Sequence, residues 1–98
     1  MIPLTHDQFQ ALLDSKIKFL VWFSAAWCGP CQRMEKNRLE EAYTPIYYCD
    51  VVENPDSVAR AGIQKFPTFI LYEEGAERAR RVHSDTTKIC QWINKTCK

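Results

Sequence analysis

Apolar residues fall in two kinds of pattern along the chain, and the spacing assigns most of it. From Asp7 to Asp14, Phe9, Leu12 and Leu13 lie at i, i+3 and i+4. That is the stripe of a short amphipathic helix, with Thr5 placed as its N-cap. Lys18 to Ser24 (KFLVWFS) is instead a nearly continuous aromatic and β-branched run, the pattern of a strand buried on both faces. After Ala25-Ala26-Trp27-Cys28-Gly29-Pro30-Cys31 comes a polar segment to Tyr43. With Pro30 in its first turn, it predicts one helix from about Cys31 to Thr44. Its apolar arc is poor, because Glu35 and Arg38 share it with Cys31, Met34 and Ala42.

Pro45 to Val52 (PIYYCDVV) reads as a second strand and Phe66 to Tyr72 (FPTFILY) as a third. Between them, Asn54-Pro55-Asp56 is turn chemistry, with Asp56 placed to cap a short helix from Ser57 to Ala61 that stops at Gly62. Glu73-Glu74-Gly75-Ala76 predicts a hairpin turn into an edge strand, Glu77 to His83. There Arg78, Arg80 and Arg81 discourage further pairing and, secondarily, can steer acidic partners. Ser84-Asp85-Thr86 opens a last helix with Ile89, Trp92, Ile93 and Thr96 on one face. Early alternation implies a parallel βαβ unit, and the late hairpin an antiparallel pair. Together they predict an α/β fold of three layers: a central mixed sheet of four to five strands, flanked by helices on both faces.

The 98 residues form one domain, residues 1–98, with one core and no room for a cleft between lobes. Apolar residues make up 46% and charged residues 26%, and the formal net charge is +1. The composition is globular, and the balance gives no general attraction to nucleic acid or anionic lipid. The longest apolar block, Phe19 to Trp27, is well short of the ~20 residues a membrane span needs. Five cysteines, an odd number, and the absence of a leader pattern at Met1 predict a cytoplasmic, reducing location.

In a reducing compartment, a close cysteine pair means redox chemistry or metal. Cys28 and Cys31 lie three apart at a strand-to-helix junction, where free N–H groups and the helix macrodipole favour a thiolate on the first. Gly29 allows the tight path into the helix and Pro30 stiffens it. Zinc normally takes four ligands, and Cys49, Cys90, Cys97, His6 and His83 contain no second close pair. The spacing therefore favours redox over metal, and no metal is expected. Cys49 reads as a buried small hydrophobe. Cys90 and Cys97 are seven residues apart on a helix, ~10.5 Å, too far for a disulfide. Both read as packing, as do Trp22 and Trp92, with Cys97 near enough the terminus for exposure to be the alternative.

The stretch Val21-Trp22-Phe23-Ser24-Ala25-Ala26-Trp27-Cys28-Gly29-Pro30-Cys31 resembles the active-site region of the thioredoxin family. The resemblance continues in Asp50-Val51-Val52-Glu53-Asn54-Pro55 and in Ala61 to Phe69, and covers nearly the whole chain. It implies a thioredoxin-like fold and a thiol-disulfide oxidoreductase that reduces protein disulfides. Cys28 would be the attacking thiolate and Cys31 the resolving thiol of a redox-active disulfide. Pro67 would be a cis-proline facing the pair, Phe66 would offer its backbone to an extended substrate, and Trp27 would wall the site. No cofactor is expected to be bound. Electrons would come from a partner thioredoxin reductase using NADPH, and the protein would act as a monomer on disulfide-containing proteins.

Four positions depart from the family pattern. Trp22 stands where a buried Asp is usual, and the Lys that partners that Asp is placed, by counting back from Asp50, at Ile46. Lys36 replaces a helix-kinking Pro. His83 replaces a Gly that lines the substrate groove, and either narrows that groove or is a bystander at the strand end. The rival to an enzyme is a redox-inactive or weakly active binding module on the same fold. A glutaredoxin-type enzyme is a lesser alternative, since no glycine pair precedes the last helix.

Overall fold

A computed structural model describes all 98 residues. The elements run β1 (Ile2–Pro3), α1 (His6–Ser15), β2 (Phe19–Ser24), α2 (Gly29–Gln32), α3 (Lys36–Ala42), β3 (Ile46–Asp50), α4 (Pro55–Ala61), β4 (Thr68–Glu73), β5 (Ala76–Val82) and α5 (Thr86–Trp92), continued by a π-helical turn, Ile93–Cys97. One mixed sheet has the order β1-β3-β2-β4-β5. β3 is parallel to both β1 and β2, and β2–β4 and β4–β5 are antiparallel.

β2 is central and every residue in it is buried. Alternation then divides the core. Leu20 and Trp22, with Ile46, Phe69 and Leu71, meet Cys28, Cys31, Leu39, Ile89, Ile93 and Cys97 on one face. Phe19, Val21 and Phe23, with Cys49, Ile70 and Tyr72, meet Phe9, Leu13 and Val58 on the other. Two apolar layers on one sheet explain why β2 has no polar alternation.

Local chemistry sets several boundaries. Thr5 and Gln8 form a reciprocal capping box at the start of α1. Glu74 and Gly75 both have positive φ, which builds the β4–β5 hairpin turn. Gly62 ends α4 at φ 68°. α4 is capped by Asn54, whose Oδ1 accepts from Ser57 N–H at 3.2 Å, and not by Asp56. Pro55 takes the first helical position, where its missing N–H costs nothing, and so moves the cap one residue earlier than expected.

The expected single helix from Cys31 to Thr44 is two helices. Glu35 has extended backbone, φ −89° and ψ 96°. Its N–H donates to Thr86 Oγ1 at 3.1 Å instead of to a helical carbonyl. Met34, just before the break, is buried in the core. The segment thus gives up helical hydrogen bonds to bury Met34 and dock on the start of α5. The break falls immediately before Lys36, although no proline forces it.

Three strands also differ. β1 was not expected; two residues carry no period, and only pairing with Tyr47 and Tyr48 defines it. β3 spans Ile46–Asp50 and leaves Val51 and Val52 in a turn, with Val52 exposed. β4 begins at Thr68, after the cis Phe66–Pro67 peptide. In the last helix, Ile89, Ile93 and Cys97 face the core while Trp92 is half-buried, so Trp92 is not the core residue expected. The three lie at i, i+4 and i+8, a stripe that extends through the π turn and puts Cys97 where Thr96 was expected.

Candidate active site at the start of the second helix

Cys28 is the N-cap of α2, and its Sγ accepts from the Cys31 N–H at 3.2 Å. One of the helix's free donors is therefore already aimed at the sulfur on which thiolate charge would sit. Cys28 and Cys31 are disulfide-bonded, with Cα atoms 5.3 Å apart. A single helical turn brings them into range without bending the chain. Gly29 does not use positive φ; a Cβ there would lie 3.2 Å from Arg33 Nη1. Its small size thus leaves room for the Arg33 guanidinium beside the loop.

A groove of 610 Å³ opens over Cys28. Trp27, Cys28 and Pro30 form one side, Gln64 to Pro67 a second, and Val82, His83 and Ser84 the third. Cys31 does not line it. The two cysteines are 6% and 1% exposed. Cys28 is more covered than its expected role suggested, and what distinguishes it is that it faces the groove. Trp27 is 68% exposed and sets its ring edge-on to Phe66, with centroids 5.6 Å apart. The Phe66–Pro67 peptide is cis, and the Phe66 carbonyl oxygen lies 3.9 Å from Cys28 Sγ. His83 lies on the groove wall, where Nδ1 accepts from the Asp85 N–H at 3.0 Å. In the neutral ring the proton is then on Nε2, as a donor. Gln64, Lys65, Val82 and Ser84 also line the groove and were missed. Their sequence signal was only adjacency to Phe66, Pro67 and His83.

In the same core cluster as the pair, Trp22 is 1% exposed, stacked on Phe69 and edge-on to Tyr48 with centroids 5.4 Å apart. Strand register sets Tyr48 opposite Trp22, and Ile46 opposite Leu20. The position facing Trp22 is therefore Tyr48, not Ile46. Residues 46 and 48 share a sheet face, so the alternation could not separate them. Lys36 Nζ lies 5.8 Å from the Tyr48 ring centroid. Trp22 Nε1 and Ser24 Oγ are buried without a hydrogen-bond partner.

The other cysteines are free. Burial pushes the Cys49 thiol up to about 12 and the Cys97 thiol up to about 11. Burial also raises Cys90, whose Sγ lies 3.7 Å from the Arg38 carbonyl oxygen. All three are held as thiols, which leaves the exchange chemistry to Cys28 and Cys31. No three His, Cys, Asp or Glu side chains converge to hold a metal ion.

Residues 1–95 match the family model named Thioredoxin. The chain belongs to the thioredoxin family. It is 36% identical to a thioredoxin of Alicyclobacillus acidocaldarius over 79 residues, 76% of this chain and 75% of that one. It is 35% identical to the mitochondrial Thioredoxin-3 of Saccharomyces cerevisiae over 72 residues, 69% of this chain and 57% of that protein's length. The solved thioredoxin of Fasciola hepatica superposes with a TM-score of 0.83 at 25% identity, covering 97% of this chain and 98% of that one. As a member of the thioredoxin family with an intact Cys28–Cys31 pair, the protein is a thiol-disulfide oxidoreductase. Trp22 belongs to the same apolar core cluster as that pair, and Tyr48, its strand partner, packs against the cluster.

Proposed function

We propose that this thioredoxin-family protein reduces disulfides in other proteins, with Cys28 as nucleophile and Cys31 as resolving thiol. The Cys28 thiolate attacks one sulfur of the substrate disulfide. The substrate S–S bond breaks, the other substrate sulfur leaves with the electron pair, and a mixed disulfide forms on Cys28. Cys31 then loses its proton and attacks Cys28 Sγ. The second substrate sulfur departs, leaving the Cys28–Cys31 disulfide. Two electrons have passed to the substrate, and a thioredoxin reductase drawing on NADPH returns them. The protein carries out this cycle as a monomer, in the reducing cytoplasm, where Cys49, Cys90 and Cys97 stay free.

The observation that carries this reading is that Cys28 faces an open groove while Cys31 sits behind it. An extended substrate segment reaches only Cys28, beside the Phe66 backbone, in the manner of an added strand. The test is reduction of a protein disulfide driven by dithiothreitol. Cys28→Ser should abolish turnover, and Cys31→Ser should accumulate a mixed disulfide through Cys28. Trapping of substrate on Cys31 in the Cys28→Ser protein would overturn the assignment.

A further inference from the structure

Some of the chain's cations are ion-paired and others are not. Arg38, Arg78 and Arg80 are ion-paired with Glu35, Glu73 and Glu77. Lys65, Arg81, Lys88 and Lys95 form no salt bridge. Lys65 lines the redox groove, whose lining holds no carboxylate. The other three line a second cleft of 290 Å³ between β5 and α5, together with Gln91 and the half-buried Trp92. This cleft also lacks a carboxylate.

The two depressions share one strand. Arg81 pairs with Phe69, which faces the layer of α5, and His83 is two residues further along the same strand direction. Arg81 is two residues, roughly 7 Å of extended chain, from His83 on the groove wall, and Lys88 and Lys95 are roughly 11 Å apart along the helix, so the cleft begins about two residues of extended chain from the groove.

We propose that the β5–α5 cleft docks an acidic segment of the disulfide-bearing substrate, beginning about two residues from the cysteine presented to Cys28. The inference rests on the disulfide-reducing reading above. Three unpaired cations in a carboxylate-free cleft complement an acidic chain, and Trp92 supplies an apolar floor for its side-chain stems. A polypeptide fits better than nucleic acid. The net charge of the whole protein is only +1, and the cleft offers one aromatic ring instead of a series for stacking. Arg81 was one of three arginines expected to lie on a solvated edge. Its two neighbours are satisfied within the chain and it is not.

The experiment compares two disulfide-bearing peptides, identical except for a run of Glu or of Gln beginning about two residues from the cysteine, placed on either side in turn. At low salt the Glu peptide should show a kcat/KM about five- to tenfold higher, the scale of two or three exposed ion pairs, and the advantage should shrink at high salt. Lys88→Glu/Lys95→Glu should remove or reverse the ratio. A Cys-free Glu peptide carrying a fluorophore should bind the parent by anisotropy and lose binding to the double variant. Reduction of the Gln peptide with no advantage for Glu would overturn the docking site and leave the redox reading standing. If neither peptide is reduced, the redox reading fails, and the docking site is judged on anisotropy alone; absence of binding there overturns it. A single-stranded oligonucleotide that binds more tightly than the Glu peptide at the same salt would also overturn it.

Discussion

Trp22 and Tyr48 occupy positions where a carboxylate and a cation would face each other, and restoring that pair tests both the register and its chemistry. Trp22→Asp alone removes a fully buried, stacked indole. Truncations of that kind cost about 3–5 kcal/mol. Loss of the unpartnered Nε1 donor returns about 1–3 kcal/mol, and a buried, unpaired carboxyl takes back a similar amount. The net loss, about 3–5 kcal/mol, is a large part of the ~5–15 kcal/mol that holds such a domain. The new carboxyl should be forced to stay neutral in the fold, with its pKa raised above the unfolded value of about 3.9. The sign follows: below about pH 4 this group adds no further penalty. Above it, each pH unit costs a further ~1.4 kcal/mol until the folded pKa is reached.

Adding Tyr48→Lys should flatten that slope, because Tyr48 is the strand partner of Trp22. Urea denaturation of the four proteins in the cycle should give a coupling of about 2 kcal/mol at about pH 8 and almost none at about pH 4. Ile46→Lys should give no rescue, since Ile46 pairs with Leu20 and is fully buried. In the reduced state, Cys28 thiolate absorbance should fit one titration in the parent and two coupled ones in the double variant. Rescue from position 46 but not 48, or a second coupled titration in the parent, would refute the reasoning.

Two further outcomes are expected. Cys49 and Cys97 are held as thiols up to about 12 and about 11. The stability this gives is complete below about pH 9 and is lost as pH rises towards those values, by about 1.4 kcal/mol per thiol at about pH 10. Cys49→Val should visibly reduce the alkaline slope in denaturant titrations, and an unchanged slope would exclude Cys49 as its source. Thr86→Val removes the acceptor for the Glu35 N–H and should cost about 1–3 kcal/mol. It should also speed amide exchange at Glu35, and unchanged exchange there would show that the break before α3 does not depend on Thr86.

Much of this fold is legible locally. The Thr5–Gln8 box, the Gly62 stop, the Glu74–Gly75 turn and the unbroken apolar run of β2 are each set by residues a few positions apart. Cys28 and Cys31 were readable for the same reason: one helical turn contains the whole redox couple. What escaped the sequence depends on distant partners. The α2–α3 break is fixed by Thr86, 51 residues from Glu35. The register of β3 on β2 decides between Ile46 and Tyr48, and a two-residue strand exists only through its neighbour. The groove assembles from three separate loops, so only members at positions the family pattern marks, such as Pro67 and His83, could be named beforehand.

The same distinction bears on what the aromatic pair does to the chemistry. Replacing a buried ion pair by well-packed apolar groups is often neutral or stabilising by about 1–4 kcal/mol. Trp22, stacked on Phe69 and edged by Tyr48, has that packing. Stability therefore gives no reason to keep charges at these positions. The consequence falls on the resolving step instead. An indole N–H is a donor only and cannot accept the Cys31 proton. With Trp22 in the cluster that contains Cys31, that proton passes to water, to the thiolate leaving Cys28 or to a carboxylate brought from elsewhere. The first attack, by Cys28 at the helix start, draws on the local N–H geometry, which does not depend on Trp22 accepting a proton. A slow resolving step behind an ordinary first attack lengthens the life of the mixed disulfide, which makes trapped intermediates the most direct readout of the Trp22 site.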